Sequence, residues 1–482
     1  MTIGEAYDPV ARERWQPLSD AAVVGIALAA IGGAWATRWL LGLVLGAALA
    51  VVVICLDRAH ASWAWRVATV IVLVCVSSAL RADAEWEQLA PDVVGPFDGW
   101  VRLIDDPQPL VSATRVIVDV DDQRFEVFAR GRAGQLRMRT WRGGDLVRVH
   151  GERVALSGDR AARVAWQHVV GELRVEWVGD VAPGAPLAVA SNRVRAAIER
   201  GSRALPPDDA ALFRGLVIGD DRDQPRAMIE RFRASGLAHL TAVSGQNVSF
   251  VIAAAGPLLS RLRPAVRWAV TIGLIAWFVS LTRFEPSIVR AGTMAAISTT
   301  AYSMGRDRAP FRVLCLAVTL LVLVDPLLLR SIGFWLSVGA TAGVCTVGPW
   351  LARRLSGLGI LATPVGITLG AQLGVALPSV LVFGRLPLVS IPANVLAVPV
   401  AGFVMLYGLP AALVAGWVPA LDAIVMFPAR LGVRWVDSVA VVGERVEPHG
   451  RTVWLGWSVV VAAVTVIAAK NRVRHGRLPP HR

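Results

Sequence analysis

The sequence predicts a polytopic α-helical membrane protein with about twelve spans and a small extracytoplasmic β-barrel insert. Its 482 residues are 55% hydrophobic, with a mean hydropathy of +0.55, which is too apolar for an ordinary soluble domain. The apolar residues fall into separate runs of about 17–25 residues, the length that crosses a bilayer as a helix. A long polar stretch, 81–236, interrupts these runs. The pattern indicates two groups of membrane helices with a folded domain between them.

The expected spans form a first group of three and a second group that begins at about residue 237. The first group lies near 21–36, 39–56 and 64–80. The second group lies near 238–260, 266–282, 287–304, 311–329, 332–350, 360–383, 388–406, 408–427 and 452–470. Prolines interrupt the stretch 388–427, which forms either one long kinked span or two. Two spans are favoured, because an even total returns the basic tail to the side of the N-terminus.

The first part of the polar stretch predicts β-structure, because apolar and polar residues alternate in short segments bounded by glycines. The expected strands cover 114–120, 124–130, 135–140, 145–156, 163–170 and 172–178. Five or six short strands within about 80 residues suit a small barrel such as an OB-fold.

A proline-rich linker zone follows the strands. Residues 187–205 predict a basic amphipathic helix on the membrane surface, and 208–219 and 225–235 predict two more short helices. The expected domain organisation has five parts. They are three N-terminal spans at 1–80, an external OB-like β domain at 81–182, a linker with amphipathic helices at 183–236, a transmembrane core at 237–470 and a basic tail at 471–482.

Arginine is concentrated in alternate loops between the expected spans, which orients the chain by the positive-inside rule. The predicted inner loops and the tail hold Arg58, Arg66, Arg261, Arg263, Arg267, Arg306, Arg308, Arg312, Arg353, Arg354, Lys470, Arg472, Arg474 and Arg477. The predicted short outer loops hold Arg38, Arg283, Arg330 and Arg385. We therefore expect a multi-pass protein of the cell membrane with both termini in the cytoplasm and residues 81–236 outside.

The residue inventory excludes several kinds of site. Lys470 is the only lysine and lies in no glycine-rich loop, so the chain carries no Walker-type phosphate loop and any ATP-driven work must come from a partner. The four cysteines lie in apolar runs without metal spacing and are interpreted as apolar fillers, so we expect no metal and no other cofactor. A polar leader with Arg12 and Arg14 precedes two consecutive apolar runs, which indicates a retained anchor.

Basic residues dominate the second half of the expected barrel. Residues 124–163 hold ten arginines against four acids. The dense part consists of Arg130, Arg132, Arg137, Arg139 and Arg142, with Trp141 among them. Arginines beside exposed aromatic rings suit single-stranded DNA, whose phosphates pair with the cations and whose bases stack on the rings. The alternative is a solvated barrel face with a few core aromatics, and charge alone favours that alternative.

Polar residues also occur inside the first apolar run of the second group, where His239, Ser244, Gly245, Gln246 and Asn247 lie. Polar groups at membrane depth are costly, and irregular backbone is tolerated there only in a protein interior or along a cavity. These residues therefore line a polar path or form a buried knot that holds helices together.

Four further polar residues lie within expected spans: Arg290, Ser337, Gln372 and Asn394. Arg290 lies about one turn inside its span, where it either extends to the outer interface or offers a cation to a passing phosphate. The other three are individually more typical of contacts between helices than of ligands. The glycines and prolines of 378–410 favour broken helices around a cavity.

A hydrolytic site is not favoured. Ser244 and His239 are five residues apart, which is about 140° of rotation on a helix, so their side chains would not meet. No third group is evident to orient the histidine. We expect no catalytic residues and no enzymatic activity.

Several segments resemble the ComEC family of competence proteins. The specific block comprises 211–221, Ala-Leu-Phe-Arg-Gly-Leu-Val-Ile-Gly-Asp-Asp, and 232–245, Phe-Arg-Ala-Ser-Gly-Leu-Ala-His-Leu-Thr-Ala-Val-Ser-Gly. Weaker likenesses are at 144–151, 286–291, 325–326 with 333–337, and 392–399, so that the resemblance covers roughly 90–410. It implies a channel that passes single-stranded DNA through the membrane, with residues 81–182 as an external OB-like domain. It also implies a cytoplasmic ATPase or helicase motor and an external DNA receptor, with membrane lipid around the spans.

Two departures qualify the resemblance. The family's second histidine, which follows the Ser-Gly pair, is replaced here by Asn247. Longer members of the family carry a metallo-β-lactamase-like domain, and this sequence has no His-x-His-x-Asp-His cluster of the kind that such a domain contains. We therefore expect a short form, with degradation of the second DNA strand carried out by another protein. Two other functions stay open: a membrane transporter or envelope scaffold for a ligand other than nucleic acid, and, less favoured, an intramembrane hydrolase. The sequence leaves the oligomeric state open, a homo-oligomer included.

Overall fold

The computed structural model describes residues 19–36, 38–56, 64–241, 245–306, 309–448 and 450–475. Helices account for 72% of it, and a separate β-sheet domain lies between them in the chain. The chain divides into two compact units: Met1–Glu87 with Cys315–Leu329, and Gln88–Leu314 with Arg330–Arg482. Within the described residues, six helices are long and apolar enough to cross a membrane. They are Trp39–Leu56, Ala64–Glu87, Pro264–Leu281, Ile332–Arg354, Ser356–Phe383 and Ser390–Trp417.

The first unit contains the three helices expected near the N-terminus: α1 (Asp20–Ala36), α2 (Trp39–Leu56) and α3 (Ala64–Glu87). Small residues let these helices approach closely, as is usual in membranes. A Cβ atom on Gly33 of α1 would overlap the carbonyl oxygen of Cys75 on α3. Nearby, Ser78 Oγ donates a hydrogen bond of 2.7 Å to the carbonyl oxygen of Ala30.

The β domain belongs to the second unit and consists of one closed sheet. Its strands are β1 (Gly95–Leu103), β2 (Gln108–Pro109), β3 (Ala113–Val120), β4 (Gln123–Arg130), β5 (Leu146–Ala155) and β6 (Val169–Ala182). The strand order is β1-β5-β6-β4-β3-β2, and β1 also pairs with β3 through Arg102↔Asp119 and Leu103↔Val118. The pairing of β4 with β6 is parallel, and the other pairings are antiparallel. The alternating apolar side chains of the strands fill the interior of the barrel.

Two of the strand predictions were wrong. The segment expected as a strand at 135–140 lies mostly in helix α4 (Arg132–Met138). Leu136 and Met138 alternate with arginines as they would in a strand, but most residues of the segment are good helix formers. The strand expected at 163–170 is instead the end of helix α5 (Gly158–Val164), a 3₁₀ turn and the start of β6, whereas the strand expected at 172–178 is confirmed within β6. His168, with a φ of 57°, ends that turn in the left-handed region, and β6 starts at the next residue.

Three linker helices follow the barrel: α6 (Pro186–Ser202), α7 (Pro207–Ile218) and α8 (Arg226–Ala234). Helices were expected at all three places. The remaining helices are α9 (Ala238–Thr241), α10 (Gly245–Leu259), α11 (Pro264–Leu281), α12 (Pro286–Ser303), α13 (Pro310–Val324), α14 (Ile332–Cys345), α15 (Val347–Arg354), α16 (Ala362–Phe383), α17 (Ser390–Trp417), α18 (Asp422–Val446) and α19 (Arg451–His475). We call α9–α12 and α14–α19, which lie in the second unit, the helical core.

Helix α6 packs against the helical core, and its expected position on a membrane surface stays a prediction. A Cβ atom on Gly201 of α6 would overlap the carbonyl oxygen of Ala412, and one on Gly416 would overlap that of Ala197. The backbones of α6 and α17 are therefore in direct contact. Since Ile198 is also fully buried, the apolar face of α6 covers a helix of the core.

The division of the run 388–427 into two spans was also wrong. The structure has one 28-residue helix, α17, with Pro399 and Pro410 inside it. Membrane helices tolerate proline where neighbouring groups satisfy the freed carbonyl groups. The next helix, α18, was not expected, because its acidic and basic residues lower its hydropathy below that of a span. The total of about twelve spans stays a prediction.

Candidate functional site

The residues expected on a polar path lie mainly at the start of α10 and on the helices beside it. Ser244 lies outside the described residues. Gly245, the first residue of α10, faces α12: a Cβ atom placed on it would lie 2.9 Å from Ala291 Cβ and 3.2 Å from Arg290 Nη2. The family-like block and the arginine are therefore neighbours.

Arg290 is a buried cation, with 5% of its surface exposed. Its Nε donates a hydrogen bond of 2.8 Å to Ser337 Oγ on α14, and its Nη1 lies 3.1 Å from Met294 Sδ. It forms an ion pair with no carboxylate in the part of the chain that the structure describes. The guanidinium group is thus enclosed by α10, α12 and α14 rather than extended outward.

Asn247 contacts a different neighbour. It is 2% exposed, and its Nδ2 donates a hydrogen bond of 3.3 Å to the carbonyl oxygen of Leu216 in the last turn of α7. That carbonyl group has no partner within its own helix, because the last four carbonyl groups of a helix lack one. Asn247 therefore ties α10 to α7, whereas Gln246 and His239 are exposed. His239 lies on the separate short helix α9.

Gln372 connects α16 with α17, and Asn394 lies on α17. Gln372 Nε2 donates a hydrogen bond of 2.5 Å to Ser390 Oγ, which in turn donates to the carbonyl oxygen of Pro387 at 2.7 Å. Asn394 Oδ1 is buried and accepts no hydrogen bond from any described residue. The structure thus brings together Gly245, Arg290 and Ser337, and Gln372 connects two helices elsewhere.

The arginine cluster of the barrel is divided by the structure. Four of its members are exposed around α4, and we call them the α4 patch: Arg130, Arg132, Arg137 and Arg139. Arg142 is half-buried, and its Nη2 lies 2.6 Å from Glu199 Oε2 on α6. Trp141 is 3% exposed and belongs to the barrel core. Its ring is not at the surface, so the expectation that it stacks on bases is corrected.

A buried ion network that the sequence reading missed joins the barrel, the linker and the core. Asp106, in the loop after β1, accepts from Arg195 Nη2 at 2.7 Å and from Arg283 Nη2 at 3.0 Å. Arg195 Nη2 also lies 3.7 Å from Asp220 Oδ2, and Arg222 binds Asp220 through Nε and Nη2 at 2.7 Å each. Burial alone would raise the pKa of Asp106, but the charges of Arg195 and Arg283 hold that pKa well below its usual range.

One sequence signal could have revealed this network. The buried face of α6 includes Ser191, Arg195, Ile198 and Ser202, at the spacing of a helical stripe. An arginine inside a buried stripe requires a counterion from another element. The partner itself could not be named, because Asp106 is 89 positions away.

Comparison of the sequence with known proteins identifies a protein family that this chain matches. A family model described as "Competence protein" matches residues 216–471. ComE operon protein 3 of Bacillus subtilis (strain 168) is 28% identical over 208 residues, which cover 42% of this chain and 26% of that protein. The uncharacterized protein YcaI of Escherichia coli (strain K12) is 29% identical over 209 residues, 40% of this chain and 28% of that protein. Competence protein ComA of Neisseria gonorrhoeae is 29% identical over 204 residues, 40% of this chain and 28% of that protein.

The chain therefore spans little more than a quarter of the length of these relatives. No solved structure matches it. The apolar helices and the relatives agree on a membrane protein. Because the family model covers more than half of its residues, the chain belongs to the ComEC-type family of competence proteins.

Proposed function

We propose that this protein is a membrane channel that passes single-stranded DNA into the cytoplasm during DNA uptake. Membership of the competence family supports a role in DNA uptake, and two of the relatives carry competence or com-operon names. The six apolar helices support a place in the membrane. Both termini are proposed to be cytoplasmic, with residues 81–236 outside, and a cytoplasmic ATPase is proposed to supply the pull.

The observation that carries the proposal is the buried Arg290. A buried charge without a counterion is costly, so a protein retains one where an anion visits or where several hydrogen bonds compensate it. Arg290 has one side-chain oxygen, that of Ser337, and a sulfur within reach among the described residues. Its neighbour Gly245 is the last residue of the family-like segment 232–245 and the first residue of α10. A passing phosphodiester would supply the missing negative charge.

The β domain supports the proposal through its topology. If the short β2 is set aside, the five long strands run in the order first, second, third, fifth, fourth and back to the first, with α4 between the third and the fourth. We propose on this ground that the domain is OB-like, since such barrels bind oligonucleotides on the face of their second and third strands and on the adjoining loops.

On this barrel, side chains of the face that β3 and β4 share form ion pairs within the domain. Glu126 of β4 is 2% exposed and accepts from Arg115 Nε at 2.6 Å and from Arg160 Nη2 at 2.6 Å. The α4 patch and the loop between β1 and β3 are the parts left for an incoming strand. The receiving surface is therefore proposed there, and not on the face that β3 and β4 share.

The test is uptake of labelled DNA by cells that carry Arg290→Leu or Arg290→Lys, each checked for normal membrane levels. If Arg290 faces the strand, Arg290→Leu leaves DNA bound outside and lowers import at least tenfold, and Arg290→Lys keeps a substantial part of it. Normal import with Arg290→Leu would remove the conduction role of this residue. A transporter or scaffold for another ligand predicts that DNA neither binds nor enters in any variant, the wild type included.

A further inference from the structure

A polar cleft lies between the barrel and the linker, away from Arg290. Its volume is about 470 Å³, within the range of sites that hold a ligand of nucleotide size. The barrel contributes Leu110, Gln135 and Arg139, and the linker contributes Arg222, Gln224 and Arg226. The cleft is therefore walled by the loop between β1 and β3, by the end of α4 and by the start of α8.

The cleft has an excess of available positive charge. The Arg139 side chain is exposed and forms no hydrogen bond or ion pair with any described residue, and the Arg226 side chain donates through Nη2 to the carbonyl oxygen of Leu110, at 3.2 Å. The acidic residue of the lining is already neutralised, since Asp223 Oδ2 lies 2.8 Å from Arg214 Nη2. Two guanidinium groups from opposite walls thus face the same space with unused donors.

The walls are held in place by the buried ion network. Arg222 lines the cleft and binds Asp220 through two hydrogen bonds of 2.7 Å. Asp220 lies 3.7 Å from Arg195, which binds Asp106 of the barrel. The two walls are therefore fixed relative to each other by ion pairs, and a fixed pair of cations costs little ordering entropy when an anion binds.

We propose that this cleft is a binding site for the phosphodiester backbone of an incoming single DNA strand, with Arg139 and Arg226 as the phosphate ligands. This inference rests on the proposed function and adds a place of first contact to it. Within the described lining there is no aromatic ring for base stacking, whereas Leu110 and Val111 are exposed apolar side chains. The cleft therefore reads the backbone without sequence preference, and its affinity falls steeply with salt.

The experiment is photo-crosslinking of labelled oligothymidylate to the full chain in phosphatidylcholine nanodiscs, which carry no anionic lipid to compete. A benzophenone amino acid is placed at Val111, which is 85% exposed and lines the cleft. The reference site is Trp177 on β6, which is 55% exposed and is not part of the lining. We expect a crosslink at Val111 and little at Trp177.

Charge reversal then tests the two ligands. Arg139→Glu with Arg226→Glu should lower the Val111 crosslink about tenfold or more, because two phosphate contacts are lost. The matched control is Arg148→Glu with Arg174→Glu, which makes the same change in net charge on the exposed surfaces of β5 and β6 and should lower it less than twofold. An equal loss in both pairs would mean that DNA responds to overall charge, and the cleft would be rejected.

The failure of the cleft and the failure of the proposed function give different results. A crosslink at Trp177 without one at Val111 overturns the cleft and leaves DNA binding by the protein intact. The absence of crosslinks at both sites, with normal import of labelled DNA by cells that carry the cleft variant, also overturns the cleft alone. If the protein binds no DNA and cells that lack it import DNA normally, the proposed function falls with it.

Discussion

Asp106 and Arg195 form a buried ion pair, with 2.7 Å between Oδ2 and Nη2. The carboxylate belongs to the loop after β1 and the guanidinium group to α6, and Arg195 Nη1 also donates to the carbonyl oxygen of Leu281 at 3.1 Å. One side chain thus connects the barrel, the linker and α11. A pair of this kind fixes the position of the barrel on the core, and removing one partner leaves a buried charge that is expensive to keep.

The first prediction concerns this pair. Asp106→Ala leaves Arg195 and Arg283 without their shared acceptor and should lower the free energy of unfolding by about 3–5 kcal/mol, measured by denaturant titration in mixed micelles. The control is Asp98→Ala, which removes an exposed partner 3.7 Å from Arg148 and should cost less than about 1 kcal/mol. Equal effects of the two changes would show that the Asp106 network contributes no more than a surface pair.

The second prediction is a dependence of stability on pH. Burial raises the pKa of Asp105 from 3.8 to about 6, although its Oδ1 accepts a hydrogen bond of 3.1 Å from the Ile117 N–H. A carboxyl group whose pKa is higher in the folded protein stabilises the fold when it is protonated. Its contribution is therefore complete below the unfolded pKa of 3.8 and is lost as the pH rises toward 6.

Asp105→Asn keeps an acceptor for the Ile117 N–H and removes the titration. Above pH 7 the variant should be more stable than the wild type by about 1 kcal/mol, after allowance for partial exposure, and the difference should vanish below pH 4. The measurement is the unfolding midpoint of both proteins across this pH range. A constant difference at every pH would assign the effect to packing and not to the charge.

The third prediction concerns the contact of α14 with α16. A Cβ atom on Gly343 would overlap the carbonyl oxygen of Gly370, so Gly343→Ala forces the two helices apart and should cost about 1–3 kcal/mol. Gly333 lies on the same helix, where a Cβ atom would meet only Ser331 Oγ, at 3.6 Å. Gly333→Ala should therefore be neutral or slightly stabilising. Thermal unfolding of both variants in detergent decides the matter, and a neutral Gly343→Ala would contradict the close packing.

The regular elements were predictable where a local pattern exists. Alternation of apolar and polar residues predicted β3, β4 and β5, and unbroken apolar runs predicted α1, α2 and α3. Helix α4 was missed because Leu136 and Met138, two residues apart, imitate a strand. Helix α18 was missed because a mixed apolar and charged helix does not look like a span. In both cases the hydrophobic pattern alone did not identify the element that forms.

The site was predictable only in part, for a related reason. A single sequence shows that Arg290 and Gly245 are unusual within apolar segments, but their proximity depends on how α10 and α12 pack. The same holds for Asp106 and Arg195, which are 89 positions apart. A polar residue in a span either holds two helices together or lines the conduction path, and which of these it does depends on the neighbour that it contacts. Asn247 shows this most clearly, because its partner is a backbone carbonyl group of α7.

The fourth prediction separates those two roles for Asn247. Asn247→Leu leaves the buried carbonyl group of Leu216 without its side-chain donor and should lower the free energy of unfolding by about 1–3 kcal/mol. Asn247→His, which restores the histidine that the family resemblance leads one to expect, offers a ring N–H to the same carbonyl group and should recover part of that loss. Gln246→Leu is the control, because Gln246 is exposed beside it. DNA import should then fall only in proportion to the amount of folded protein in the membrane. If Asn247→Leu abolishes import while the unfolding midpoint and the membrane level stay those of the wild type, Asn247 acts on the strand and the tie to α7 is secondary.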